Sequence, residues 1–130
     1  MSSGSYLMIL DDDPQIRTFY RTVAEGLGFR VHDSDRYLDF CAAYEVEVPD
    51  VILLDLTMPN TDGIEFLRDL ARRECRSSIV LSSGQDEKLV ASAFRLGEAL
   101  QFNMVANLAK PATLDQLERT LCQFLPEAAG

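Results

Sequence analysis

The chain has 130 residues, of which 47% are hydrophobic and 25% are charged, and its formal net charge is −9. These values are ordinary for a single globular domain, and the acidic excess argues against a surface that binds nucleic acid or anionic membranes. No apolar run approaches the roughly 20 residues of a membrane helix. We expect one domain over residues 6–126, with residues 1–5 and 127–130 as disordered ends or cloning remnants, and no secretory signal.

The first predicted elements are a strand and a helix. The apolar run Tyr6–Leu10 predicts the strand, and Asp13 can cap the following helix with Pro14 at its first position. Gly26 or Gly28 ends that helix. Its apolar stripe, at helical spacing, consists of Ile16, Tyr20, Val23 and Leu27.

A second strand and helix precede the central strand. Phe29–His32 predicts the strand, and Ser34 is the predicted cap of the helix. That helix carries Tyr37, Leu38, Cys41 and Ala42. After Pro49 comes Val51–Asp55, an apolar run that ends in a carboxylate. Such a run between turn signals predicts a strand buried on both faces.

The second half of the chain continues the alternation. Asp62 caps a predicted third helix, and Ser78–Ser82 predicts the fourth strand, followed by a turn at Ser83–Gly84. A long helix over about Asp86–Leu100 and a weaker strand at Asn103–Leu108 come next. The third and fourth helices have stripes of Ile64, Leu67 and Leu70 and of Leu89, Ala93, Leu96 and Leu100.

The last helix begins at a predicted capping box, Thr113 to Gln116. Its stripe is Leu114, Leu117, Leu121 and Phe124. Five strand–helix repeats predict a single, doubly wound α/β domain with a parallel sheet and right-handed crossovers.

Cysteine and histidine offer little for a metal or catalytic site. Cys41, Cys75 and Cys122 are far apart and odd in number, which favours free thiols, used as small apolar residues, in a reducing cytoplasm. His32 is the only histidine, and we expect a structural role for it on a strand.

Polar residues follow the apolar runs at the carboxyl ends of four strands. They are Asp11 and Asp12, Asp55, Ser82 and Lys110. In a parallel sheet these ends share one edge, so we expect the side chains to lie close together. Alone, each residue is explained as a helix cap, a turn residue or a surface lysine, but their joint appearance predicts a site.

The expected chemistry is phosphoryl transfer. Three carboxylates at one edge repel unless a cation joins them, and oxygen ligands favour Mg²⁺, with Mn²⁺ as a second option. Beside that metal and Lys110, Asp55 is a candidate nucleophile toward phosphorus, and Ser82 can donate to a phosphoryl oxygen. The product would be an acyl phosphate on Asp55.

The chain resembles the receiver domains of two-component response regulators from about Tyr6 to Leu125. The motifs that carry the resemblance are Leu10–Pro14, Leu53–Pro59 with Asp62–Gly63, Leu81–Gly84 and Ala109–Pro111. It implies a flavodoxin-like three-layer fold with strand order 2-1-3-4-5. It also implies a signalling domain whose only catalysis is its own phosphorylation and dephosphorylation.

The resemblance assigns roles to the site residues. Asp55 would accept a phosphoryl group from a sensor histidine kinase or histidine phosphotransfer protein. Asp12, Asp55 and the backbone carbonyl of Thr57 would bind Mg²⁺, with Asp11 assisting. Ser82 would bind the phosphoryl group and shift on activation. Lys110 would pair with Asp55 or its phosphate, and Pro111 would shape the turn behind it, often through a cis peptide bond.

Two features depart from the family pattern. Asn107 stands three positions before the lysine, where an aromatic ring is common, so the readout is expected either from hydrogen bonding by Asn107 or from another part of the domain. The segment from Ser82 to Lys110 is longer than expected, with the extra length around Glu98–Asn103. This pattern is similar to receivers fused to cyclic-di-GMP phosphodiesterase (EAL) domains.

Two alternatives stay open. A haloacid-dehalogenase-like phosphatase also places a nucleophilic Asp after an apolar strand, but typically has a second Asp two positions later, where this chain has Thr57. A receiver-like interaction module that works without phosphorylation is the other alternative.

Overall fold

A computed structural model describes residues 5–58, 62–84 and 86–125 of the chain. Strands and helices alternate along it. The elements are β1 (Tyr6–Leu10), α1 (Pro14–Leu27), β2 (Arg30–Ser34), α2 (Tyr37–Val46), β3 (Val51–Asp55), α3 (Gly63–Arg72), β4 (Ser78–Ser83), α4 (Glu87–Ala99), β5 (Asn103–Ala109) and α5 (Leu114–Cys122).

The sheet has five strands in the order β2-β1-β3-β4-β5, and each neighbouring pair is parallel. The predicted α/β architecture and strand order are therefore confirmed. All carboxyl ends meet at one edge. There the register pairs Leu10 with Leu54 and Asp55 with Ser82.

The core lies on both faces of the sheet because β1 and β3 are buried at every residue. Alternate side chains of a strand point to opposite faces. On one face, α1 and α5 cover a cluster that includes Leu53, Val80 and Tyr20. On the other face, α2, α3 and α4 cover a cluster that includes Leu54, Leu81 and Phe40.

Local capping chemistry explains where several helices begin and end. The side chains of Asp13 and Asp62 accept hydrogen bonds from the first backbone N–H groups of α1 and α3. Thr113 and Gln116 form the predicted capping box of α5. Of the two predicted ends of α1, Gly28 is the correct one, since it adopts φ 109°, a left-handed conformation that suits glycine.

The second strand corrects the sequence-based prediction. It runs from Arg30 to Ser34, so the prediction that Ser34 caps α2 is wrong. Ser34 pairs with Leu10 of β1, and its hydroxyl lies 3.1 Å from Nε2 of His32. Pairing with β1 therefore extends β2 beyond its apolar residues. Helix α2 follows Arg36, whose side chain makes no capping hydrogen bond.

Smaller differences concern boundaries and exposure. Ser83 belongs to β4 rather than to the turn, and the predicted stripe residues Leu38 and Leu114 are 79% and 52% exposed. All three cysteines are free, and Cys122 is exposed rather than a core residue. At the predicted N-terminal end, Ser5 is hydrogen-bonded to the carbonyl of Phe124. Residues 1–4 and 126–130 lie outside the described part.

Within the described ranges, no helix combines the length and apolarity needed to cross a bilayer.

Candidate functional site

The carboxyl edge of the sheet brings together three carboxylates and an amine. Asp11 and Asp12 follow β1, Asp55 is the last residue of β3, and Lys110 follows β5. Asp11, Asp12 and Asp55 each offer a carboxylate oxygen within 4.8 Å of the others. The expected juxtaposition of these strand ends is present.

The two oxygens of Asp55 have different partners. Oδ1 accepts hydrogen bonds from the backbone N–H and the hydroxyl of Thr57, both at 2.9 Å. Oδ2 accepts a hydrogen bond from Nζ of Lys110 at 3.0 Å. The side chain of Asp55 is only 1% exposed, so these bonds fix its orientation in a buried position. Lone pairs remain on both oxygens for a further ligand or for bond formation.

Asp11 is the other buried carboxylate. Its Oδ1 accepts a hydrogen bond from the backbone N–H of Asp13, and Oδ2 lies 2.9 Å from Nζ of Lys110. Burial raises the pKa of Asp11, against the lowering effects of the Asp13 and Lys110 bonds. Burial alone would lower the pKa of Lys110, but its bonds to Asp11 and Asp55 outweigh burial and leave that pKa raised. Lys110 is therefore held as a cation between two carboxylates.

The donor set fits a hard divalent cation. Asp11 Oδ2 is buried, and its contact among the described residues is the ion pair with the ammonium of Lys110. A buried carboxylate oxygen with lone pairs to spare, beside Asp55 and the exposed Asp12, suits Mg²⁺ or Mn²⁺, both of which prefer oxygen ligands. The role of the Thr57 carbonyl as a further ligand stays a prediction.

Ser82 lies beside Asp55 in the register of β3 and β4. Its side chain is buried, and its hydroxyl oxygen lies 2.5 Å from the hydroxyl oxygen of Tyr20, in a hydrogen bond. Tyr20 is itself only 2% exposed, and burial raises its pKa, although the bond to Ser82 acts in the opposite direction.

Two residues near the site were not predicted to belong to it. Tyr20 was expected only as a stripe residue of the first helix. Arg17, also on α1, donates from Nη1 to the carbonyl oxygen of Asp11 at 2.9 Å and pairs with Asp33. A phenol in an otherwise apolar stripe is the one signal that could have indicated a partner for Tyr20, because a buried hydroxyl needs a hydrogen bond.

Asn107, at the position where the family commonly has an aromatic residue, lies next to the site. Its side-chain oxygen accepts a hydrogen bond from the hydroxyl of Ser83 at 3.3 Å. Asn107 also lines a cleft with Gly84, Val90 and Ala109, between α4 and β5. Beyond this strand, the peptide bond between Lys110 and Pro111 is cis, as the resemblance implied.

Comparisons with known proteins agree with the geometry. Residues 7–121 match the family model described as the response regulator receiver domain. The chain is 37% identical, over 91 residues, to the KDP operon transcriptional regulatory protein KdpE of Escherichia coli, covering 70% of this chain and 40% of that protein. It is 28% identical over 117 residues to the regulatory protein AtoC of Escherichia coli, covering 90% of this chain and 24% of AtoC.

The chain thus spans two fifths or less of the length of these curated relatives. Among solved structures, a response regulator from Colwellia psychrerythraea superposes with a TM-score of 0.80 at 30% identity, covering 92% of this chain and 94% of that one.

Proposed function

Because this chain belongs to the response regulator receiver domain family, we propose that it is a phosphorylation-dependent switch whose phosphoacceptor is Asp55. The observation that carries the proposal is the environment of this carboxylate. It is buried at a strand end, fixed by Thr57 on one oxygen and by Lys110 on the other, within reach of two more aspartates.

The donor is a phosphohistidine of a sensor kinase or a phosphotransfer protein. A carboxylate oxygen of Asp55 attacks phosphorus and forms a P–O bond, while the P–N bond to the donor histidine breaks. The imidazole leaves with that electron pair, and the products are neutral histidine, once protonated, and an aspartyl phosphate. Hydrolysis by water later returns Asp55 to a carboxylate.

Asp11, Asp12 and Asp55 are the residues that would hold Mg²⁺, together with the carbonyl of Thr57. When bound, the metal supplies charge neutralisation for the phosphoryl oxygens. Lys110 contributes a second positive charge at the same edge, and its raised pKa supports an ammonium there at neutral pH. Ser82 donates its hydroxyl hydrogen to a phosphoryl oxygen.

The phosphoryl group acts as a switch only if it binds one conformation better than another. We assign this difference to Ser82 and to the face formed by α4 and β5. On this face, Asn107 of β5 accepts a hydrogen bond from the hydroxyl of Ser83. The contact is therefore polar at the position where an aromatic ring is common in the family.

The output partner is proposed from sequence pattern. The extra sequence length around Glu98–Asn103 supports a cyclic-di-GMP phosphodiesterase domain as the partner. That segment forms the last turn of α4 and its tight exit, where the N–H of Phe102 donates to the carbonyl of Gly97 at 2.8 Å. A cytoplasmic location is proposed with this partner, since the three cysteines are free thiols.

The family assignment favours the switch over the phosphatase alternative, and Thr57 in place of a second aspartate supports the same choice. The test is incubation with acetyl phosphate and Mg²⁺, followed by intact-mass measurement. We expect one added phosphoryl group in the wild type and in Asp39→Asn, an exposed control on α2, and none in Asp55→Asn. A folded wild type whose mass does not change would refute the switch, and turnover of a phosphomonoester would indicate the phosphatase.

A further inference from the structure

The buried pair Tyr20 and Ser82 carries an inference beyond the phosphoacceptor itself. Tyr20 lies on α1 and Ser82 on β4, 62 positions apart in sequence, and their hydroxyl oxygens are 2.5 Å apart. Their residue exposures are only 2% and 1%. Water cannot readily replace either partner there, so the two hydroxyls depend on each other.

The hydroxyl of Ser82 is hydrogen-bonded to Tyr20 of α1, although Ser82 lies beside Asp55 in the sheet. The register of β3 and β4 pairs Asp55 with Ser82, yet within the described residues the hydroxyl of Ser82 has Tyr20 as its hydrogen-bond partner and makes no bond to Asp55. The side chain is therefore turned toward the helix that covers this face of the sheet.

We propose that Tyr20 is a positioning residue that holds the Ser82 hydroxyl in its unphosphorylated orientation. This inference rests on the proposed function of Asp55. In this proposal, Ser82 donates to a phosphoryl group on Asp55 from a different staggered rotamer, and that change moves its oxygen by roughly 2 Å because staggered wells lie about 120° apart. A bond of 2.5 Å to Tyr20 does not survive that movement.

If Ser82 moves away, the described surroundings of Tyr20 provide no other hydrogen-bond partner for its hydroxyl. Its ring is packed in the cluster under α1 and α5, beside the ring of Phe19 at a centroid distance of 5.9 Å. In the described part of the chain, the only hydrogen-bond partner of its hydroxyl is Ser82. Activation thus leaves a buried phenol unpaired, which is unfavourable. Tyr20 therefore weakens binding of the phosphoryl group by stabilising the resting state of Ser82.

The test measures the affinity for beryllium fluoride, a phosphoryl analogue, in the presence of Mg²⁺. We expect Tyr20→Phe, which keeps the ring and removes the hydroxyl, to bind the analogue roughly threefold to tenfold more tightly than the wild type. Tyr44→Phe is the matched control. Tyr44 is a buried tyrosine of α2 on the opposite face of the sheet, and loss of its hydroxyl should leave the affinity unchanged.

A double-mutant cycle separates positioning of Ser82 from general packing. The affinity is measured for Ser82→Ala alone and for Ser82→Ala combined with Tyr20→Phe. These two proteins should bind the analogue equally well. An unchanged or weaker affinity for Tyr20→Phe, or an equal gain in the Ser82→Ala background, would overturn the proposal. A wild type that does not bind the analogue would instead refute the proposed function, so the two failures are distinct.

Discussion

The central strands and the edge strand β5 are built differently. Every residue of β1 and β3 is buried, and both strands lead directly into the site carboxylates. In β5 only Leu108 is buried, and the pairing with β4 is irregular, since Val80 pairs with Ala106 and Val105 is left over. The site carboxylates are thus anchored by close-packed strands, while β5, which contains Asn107 and leads into Lys110, is less buried and less regularly paired.

This contrast separates two tasks of a switch. A phosphoacceptor needs fixed geometry, because its oxygen, the metal ligands and the ammonium must meet within a few ångströms. A surface that reports phosphorylation needs two conformations of similar free energy. Strands that differ in burial can meet these two needs within one sheet.

The largest expected effect concerns burial itself. Leu54→Ala, in β3, should lower the free energy of unfolding by about 3 kcal/mol, since it removes a fully buried side chain and leaves a cavity. Val105→Ala, in the half-buried β5, should cost about 1 kcal/mol. Urea denaturation measures both values. Equal losses would remove the contrast between the two strands.

The next effect concerns the ammonium at the site. Lys110→Met should destabilise the metal-free protein by about 2 kcal/mol, because two buried carboxylates lose their cation. We expect a smaller loss of stability than for a fully buried ion pair, since the Lys110 side chain is 17% exposed. Mg²⁺ should restore part of the stability. Lys88→Met, an exposed control on α4, should have little effect, and similar losses in both variants would contradict this account.

Asp11→Asn should stabilise the metal-free protein at neutral pH, by on the order of 1 kcal/mol. Since burial raises the pKa of Asp11 in the folded state, its ionisation opposes folding. The gain is full above that raised pKa and disappears as the pH falls below the ordinary value of about 3.9. Thermal unfolding with a chelator across this pH range measures it.

The same substitution should also abolish most of the stabilisation by Mg²⁺, because it removes a ligand. A metal-free Asp11→Asn protein that is less stable than the wild type at neutral pH would show that the buried charge is better compensated than we infer.

The smallest effect on stability concerns the loose strand. Asn107→Ala should cost less than about 1 kcal/mol, since it removes one weak bond from Ser83, and phosphorylation of Asp55 should persist. We expect it to reduce the change in amide hydrogen exchange of α4 on binding beryllium fluoride. The control is Asn103→Ala. Asn103 lies on β5 like Asn107, and this substitution removes its hydrogen bond to Ser78 of β4. If both variants respond alike, Asn107 has no special part in the readout.

Some features could be predicted because their causes are local. Apolar runs mark β1 and β3, and the caps at Asp13, Asp62 and Thr113 depend only on the next three residues of the chain. The meeting of Asp11, Asp55 and Lys110 also followed from one rule of parallel sheets, that strand ends share an edge.

Other features depend on tertiary contacts. The extension of β2 to Ser34 follows from its pairing with β1, which its own apolar pattern does not reveal. The bond between Tyr20 and Ser82 requires the rotation of α1 over the sheet and the rotamers of both side chains. These are set by packing, so the sequence showed a phenol in a stripe but not its partner.

The most direct test is to locate the phosphoryl group. After incubation with acetyl phosphate and Mg²⁺, borohydride reduction converts an aspartyl phosphate to homoserine, which peptide sequencing by mass spectrometry can place. We predict homoserine at Asp55 and at no other aspartate, including the neighbouring Asp11 and Asp12. Homoserine at another position, or none in a folded protein that binds Mg²⁺, would contradict the assignment of Asp55 as the phosphoacceptor.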